Sequence, residues 1–262
     1  MMNTTNVREK IHGGNMKKIF KAIIMAILTL FLSACSFTIF DKPIYSETLN
    51  HISTVVMNAN VKISTSTYRM EFFHKIEGPY RAFGSGVVFQ KEVINNDTYY
   101  YVLTNAHVVD LDTEYNHEYE IEDIYNNTIS AELILKDFEY DLAILKFKAV
   151  NELNVIELAS VNPKINETVF SVGSPAGKHN IITAGKILSY IETDKVEYEV
   201  IVHDAFIHKG SSGGMLINQK YQLVGINTWG FTEKDETIDE NFVKGGATPI
   251  EKILEFLEQL DN

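Results

Sequence analysis

The 262-residue sequence has one cysteine, Cys35, one tryptophan, five prolines and no apolar run of the length a membrane-crossing helix needs. A lone thiol has no disulfide partner within the chain and cannot build a thiolate zinc site, so a metal would have to be held by histidines and carboxylates. Basic residues are also scarce. The 23 Lys and Arg face 35 Asp and Glu, for a formal charge of −12, and no basic stripe occurs past residue 35. Nucleic acid, which is bound through clustered cations, is therefore excluded as the leading partner. What is present is ordinary globular composition, 45% apolar and 22% charged, which argues against disorder, collagen or a heptad rod and permits a sizeable core in one or two domains.

The N-terminus reads as an address. From Met16 the chain runs M-K-K-I-F-K, then the apolar-biased stretch Ala22 to Leu32, then L-S-A-C ending at Cys35. A bilayer-spanning helix needs about 20 such residues, whereas a secretory apolar region uses about 7 to 15 behind a positive start. L-S-A-C resembles the lipobox of bacterial lipoproteins, which implies cleavage before Cys35 and lipidation of its sulfur, and hence attachment to the outer face of a cell membrane. Residues 1–35 are thus expected to be a signal peptide and residues 36–50 a tether. Met16 is a candidate true start, because Gly13-Gly14-Asn15 can be encoded by a stretch resembling a ribosome-binding site. Removing residues 1–35 takes away five cations and one acid, a net of +4, and leaves −16.

The remainder reads as β structure. Segments rich in Val, Ile, Tyr and Phe recur between turn residues, at 86–89, 99–103, 131–135, 142–147, 168–172, 196–202, 215–218 and 223–228. Many short strands suggest a sandwich or barrel. Val196, Val200 and Val202 alternate with Glu197 and Glu199 at the period of a strand with one buried face, and Asn95-Asn96-Asp97 marks a turn. Only the end looks helical: Thr248 can cap, Pro249 suits the first helical position, Glu251 completes a capping box, and Ile250, Ile253, Leu254 and Leu257 form a stripe. No repeat or linker interrupts residues 51–262.

Acyl transfer at a peptide carbonyl requires a nucleophile, a base, a group that orients the base and donors for the oxyanion. T-N-A-H-V-V places His107 after a strand, Y-D-L-A-I-L-K places Asp141 at the head of another, and G-S-S-G-G places Ser212 in a glycine-rich turn. Alone, each has a bland reading: a core histidine, a turn aspartate, a flexible loop. Together, in the order His, Asp, Ser, they resemble the trypsin-like serine peptidases of the bacterial HtrA/Deg-type branch. Further motifs occur in the family's order: G-S-G-V-V-F from Gly84, F-S-V-G-S-P-A-G from Phe170, T-A-G-K-I from Thr183, H-D-A-F-I-H-K-G before the serines, V-G-I-N-T from Val224 and G-G-A-T-P-I before the closing helix.

The resemblance implies an all-β fold of two packed antiparallel six-stranded barrels with a C-terminal α-helix. Barrel one would span about 51–155, barrel two about 160–248 and the helix 249–260. It also implies a serine endopeptidase in which Ser212 attacks, His107 transfers the proton, Asp141 orients the imidazole, and the backbone amides of Gly210 and Ser212 receive the oxyanion. No metal or organic cofactor is implied, and protein or peptide substrates are. Ser211 stands where pancreatic-type relatives have the aspartate that pairs with a new N-terminus, so activation by that ion pair is not expected. Met215 replaces the family's usual proline. Phe206 would lie at the base of the primary specificity pocket, with Thr228, Trp229 and Gly230 along one wall. Without an acid at the base, and with Thr228 where glutamyl-specific relatives carry histidine, a small or medium apolar side chain is the expected choice. For Phe206 and Trp229 plain core packing is the competing reading. HtrA/Deg enzymes usually continue into a peptide-binding PDZ domain, and this sequence stops after the closing helix, which leaves its regulation open.

Two acidic runs, 110–123 and 233–240, read as solvated loops or as a field that gathers basic substrates. His203 and His208, five apart, are expected to face opposite ways rather than share a metal. A catalytically silent binding module of the same fold, and a solute-binding lipoprotein of alternating strands and helices, are the rival readings.

Overall fold

The computed structural model describes residues 41–175, 180–232 and 243–260. The expected signal peptide, Cys35 and the acidic run 233–240 lie outside the described residues. Residues 50–262 form one compact unit; of residues 1–49, only the opening of the first helix is described.

Six strands form the first barrel: β1 Asn60–Glu71, β2 His74–Ile94, β3 Asp97–Thr104, β4 Asn116–Glu122, β5 Thr128–Asp137 and β6 Leu142–Lys148. Six more form the second: β7 Thr168–Gly173, β8 Ile181–Ile191, β9 Val200–His203, β10 Met215–Asn218, β11 Leu223–Thr232 and β12 Val243–Pro249. Every pairing between these strands is antiparallel, and both sheets close, in the orders β1-β2-β3-β6-β5-β4 and β10-β11-β12-β9-β8-β7. The all-β, double-barrel expectation agrees with this architecture, and a solute-binding fold of alternating strands and helices does not.

Burial explains which segments were easy to read. Strands β7, β9 and β10 are almost wholly buried and spell apolar runs. In β1, by contrast, Ile63, Thr65 and Thr67 point inward while Lys62, Ser64 and Ser66 point outward. The two-residue period is present, but threonines fill the inner row. Thr65 satisfies its hydroxyl on the Val108 carbonyl at 2.7 Å, so burial leaves no orphaned donor. The expected strand 196–202 is corrected: only residues 200–203 pair, and 194–198 form a bend outside the sheet.

Helices also need correction. An α-helix, α1, spans Asp41–Thr54, where the tether was expected, and carries the fully buried Ile52; Pro43 is tolerated in its first turn, where amides lack intrahelical partners anyway. A four-residue helix, α2, spans Ala106–Val109. The closing helix α3 spans Ile250–Leu257, with Ile250, Ile253 and Phe256 fully buried. Thr248 does not cap it, and Pro249 is the capping residue rather than the first helical one. Thr248 lies instead within hydrogen-bonding distance of the Tyr198 and Thr228 hydroxyls, at 3.2 and 3.3 Å. The cap comes from far along the chain: Asn162 Oδ1 accepts the Glu251 amide at 3.1 Å, and Asn162 Nδ2 donates to Glu251 Oε2 at 2.9 Å.

Candidate active site

His107 sits on α2, whose other three residues, Ala106, Val108 and Val109, are buried. Three apolar anchors in one short turn leave the imidazole as the outward group. Its Nδ1 lies 2.8 and 3.0 Å from the two carboxylate oxygens of Asp141, and the His107 backbone amide donates to Asp141 Oδ1 at 3.1 Å. Asp141 is buried and ends the turn after β5 with φ of 48°, in the left-handed region that aspartate tolerates better than most residues. Its backbone is held from both sides. Asn105 Nδ2 donates to the Asp141 carbonyl at 2.9 Å, and the Tyr198 hydroxyl donates to the Tyr140 carbonyl at 2.7 Å. Burial, aided by the Asp141 charge, pushes the Tyr198 hydroxyl well above the ordinary phenol range, so it remains a donor.

Ser212 belongs to the loop between β9 and β10. Residues 208–211 form a turn closed by the Ser211 amide on the His208 carbonyl at 2.8 Å, and the His208 amide donates to Ser211 Oγ at 3.2 Å. Gly210, third in the turn, has φ of 96°, which a type II turn requires and a Cβ would oppose. The amides of Ser211, Gly213 and Gly214 are bonded within the fold. Those of Gly210 and Ser212 make no hydrogen bond to any described residue. Barrel one clamps this loop through Ser85: its amide donates to the Ser212 carbonyl and its hydroxyl to the Gly210 carbonyl, each at 2.7 Å, while the same hydroxyl accepts the Ser174 amide at 2.8 Å.

The Ser212 hydroxyl donates to the Thr228 carbonyl at 3.3 Å, and no hydrogen bond joins it to His107. Asn105 links the two sides, since its Nδ2 also reaches the Thr228 hydroxyl at 2.9 Å. A cleft of about 380 Å³ is lined by His107, Asp141, Phe138, Trp229 and Lys195. Lys195 Nζ lies 5.8 Å from the Trp229 ring centre.

Of the expected pocket residues, Thr228 is buried, Trp229 is half-buried in that cleft, and Gly230 is exposed. Phe206 is 43% exposed, which excludes the core-packing reading for it. His203 is fully buried and pairs through Nε2 with Asn227 Oδ1 at 3.1 Å, whereas His208 is exposed. The first acidic run is part loop and part strand: β4 carries Glu118, Glu120 and Glu122, and Glu114, Glu118 and Glu120 are exposed. Glu114 pairs with Arg69, Glu118 with Lys75, Glu122 with Lys62 and Asp110 with Lys136, and the buried Asp123 accepts amides of its own turn. Ser85, Asn105, Phe138 and Lys195 carry no signal of their own chemistry. Ser85 and Asn105 do lie inside the G-S-G and T-N-A-H motifs.

Residues 84–226, more than half the chain, match the trypsin-like peptidase domain family. A probable periplasmic serine endoprotease, DegP-like, from Buchnera aphidicola is 33% identical over 58% of this chain and 31% of its own length. Serine protease HTRA1 of Xenopus tropicalis is 31% identical over 85% of this chain and 45% of its own length. The chain therefore spans less than half of either relative. Among solved structures, the serine endoprotease from Yersinia pestis superposes with a TM-score of 0.59 at 27% identity, covering 81% of this chain and 66% of that one.

Proposed function

The chain belongs to the trypsin-like peptidase domain family, and from that premise we propose that it is an exported serine endopeptidase of the HtrA type, held at the extracytoplasmic face of a bacterial membrane by a lipid on Cys35. The periplasmic naming of the DegP-like relative supports the compartment, and the L-S-A-C box supports the anchor.

In this reading Ser212 Oγ bonds to the scissile carbonyl carbon as its proton passes to His107 Nε2. Asp141, on Nδ1, fixes the tautomer and stabilises the imidazolium. The carbonyl oxygen takes the negative charge between the amides of Gly210 and Ser212. Collapse of this intermediate breaks the C–N bond, and His107 gives its proton to the leaving amine. Water then enters by the same route and hydrolyses the acyl-enzyme. The Ser212 hydroxyl must first leave the Thr228 carbonyl by rotation about χ1, a small step for a serine. Phe206, an apolar residue at the position the family places at the base of the specificity pocket, favours an apolar side chain before the scissile bond over Lys or Arg.

One observation carries the reading. The His107–Asp141 pair lies in the cleft, and among residues 210–214 the amides without a partner are those of Gly210 and Ser212. Those are the groups acyl transfer needs. The hydroxyl turned onto Thr228 favours the rival, a silent binding protein, and one experiment separates the two. A fluorophosphonate should label the full chain covalently, and Ser212→Ala should abolish the labelling without changing the far-UV spectrum. A folded wild-type chain that takes up no label supports the silent reading, and undiminished labelling of Ser212→Ala removes Ser212 from its role.

A further inference from the structure

The hairpin joining β1 to β2 ends in Phe72 and Phe73, which are 93% and 99% exposed. Both have positive φ, 46° and 70°, and the flanking Glu71 and His74 pair across the strands, so the turn is a two-residue loop of the mirror-image type. That geometry favours Asn or Gly. The β2–β3 hairpin obeys the preference, with Asn95 and Asn96 at φ of 51° and 70°. Phenylalanine in the left-handed region costs about 1–2 kcal/mol per residue, and each ring here is also left in water. A position unfavourable on both counts points to an occupant outside the fold.

Behind the tip come the facing pair Glu71 and His74, then Met70 and Ile76, which are 58% and 46% exposed. Level with them are cations on long stems laid against tyrosines: Lys75, opposite Met70, has its Nζ 5.0 Å from the Tyr68 ring, and Arg69, opposite Ile76, has its guanidinium 4.0 Å from the Tyr115 ring. Phenylalanines at the tip, with tyrosine rings and snorkelling Lys and Arg behind them, suit a bilayer interface. A tip two residues wide offers little of the roughly 800 Å² per partner that a stable protein interface buries. A bilayer needs no complementary shape. One carboxylate, Glu71, opposite His74, lies directly behind the phenylalanines, at the depth of lipid headgroups. Arg69 and Lys75 are already paired with Glu114 and Glu118, so the hairpin has little net positive charge for anionic lipid to attract.

We propose that the Phe72–Phe73 tip inserts into the interface of the membrane that carries the lipid anchor, acting as a second, non-covalent contact. The inference rests on the membrane location proposed above. Only residues 36–59 separate Cys35 from β1, and β1 leads to the tip. An anchor alone fixes distance from the membrane and leaves orientation free; a second contact restricts the direction in which the cleft faces.

The test uses the full chain with Trp229→Phe, so that a single introduced tryptophan reports. Phe73→Trp is compared with Val161→Trp, a site 72% exposed elsewhere on the fold, after reconstitution into phosphatidylethanolamine–phosphatidylglycerol vesicles containing brominated phosphatidylcholine. The expected result is a blue-shifted tip emission quenched severalfold more than that at residue 161, with little response to salt. Unquenched tip emission in vesicle-bound protein overturns the proposal and leaves the anchor standing. Failure to bind vesicles overturns it as well. A chain whose mass shows no lipid on Cys35 disposes of the anchor, while quenching still reads the tip. If self-association is lost in Phe72→Ser/Phe73→Ser and no quenching occurs, the tip serves a second copy and the bilayer is excluded. Far-UV spectra and melting curves confirm that each variant is folded, and no outcome depends on Ser212.

Discussion

At the residue scale, one torsion shapes the turn on which the proposed oxyanion donors depend. Gly210 keeps φ at 96°, and the turn it completes leaves its own amide and that of Ser212 without partners. An added Cβ favours negative φ, which turns the 209–210 peptide over and, in the proposed mechanism, removes one donor from the oxyanion. Gly210→Ala is expected to lower kcat of peptide hydrolysis by about 10² to 10³. The fold should persist, because the neighbouring amides of Ser211, Gly213 and Gly214 remain bonded. Steady-state kinetics with a peptide substrate check this, and an unchanged kcat would show that the Gly210 amide does not take part. The candidates His107, Asp141 and Ser212 stand out in the sequence because titratable or nucleophilic side chains are conspicuous within short motifs; the structure joins His107 to Asp141 and turns the Ser212 hydroxyl onto Thr228. Ser85 and Asn105 do not stand out, although they fix the serine loop and the Asp141 backbone. Their contribution is a hydrogen bond made across more than 100 residues for Ser85 to Gly210 and Asn105 to Thr228, and an uncharged side chain does not reveal its distant partner.

At the element scale, the same locality sets the boundary. Strands with an apolar inner row, such as β6 and β7, could be read from composition, whereas β1 could not, since its inner row includes Thr65 and Thr67. For α3 the apolar stripe was visible and the cap was misplaced. A threonine at the helix start has the right side chain, but Thr248 turns toward Tyr198 and Thr228, and Asn162 takes over as acceptor for Glu251. Asn162→Ala should therefore cost about 1 kcal/mol, the usual worth of a cap. That lowers the melting temperature by about 2–4 °C for a domain of this size. Thr248→Ser, which keeps the hydroxyl, should change it less. Thermal melts followed by far-UV circular dichroism distinguish them, and equal losses would mean that Asn162 does not cap α3.

At the scale of the whole molecule, stability should depend on pH through a buried group that takes no direct part in the proposed chemistry. His203 is buried on β9, bonded through Nε2 to Asn227, with Nδ1 enclosed and unpartnered and Gly245 packed so close to the ring that no Cβ would fit. Burial pushes its pKa down to about 4 from the ordinary 6.5, against the smaller opposing effect of the Asn227 hydrogen bond. Above pH 6.5 neither the folded nor the unfolded chain protonates it. Between 6.5 and about 4 the unfolded chain binds the proton and the folded one does not, so stability falls as pH falls. Below about 4 both states are protonated and the loss levels off, near 3 kcal/mol at about 1.4 kcal/mol per unit of pKa difference. His203→Gln retains an amide donor for Asn227 and cannot titrate. It should be less stable than wild type at pH 8 and should lose less on acidification, so the two melting temperatures converge between pH 6.5 and 4. Carboxylates shift both proteins alike, which makes the difference between them the informative quantity. Parallel curves across that range would mean that His203 is protonated equally in both states and that its burial places no cost on the acid form.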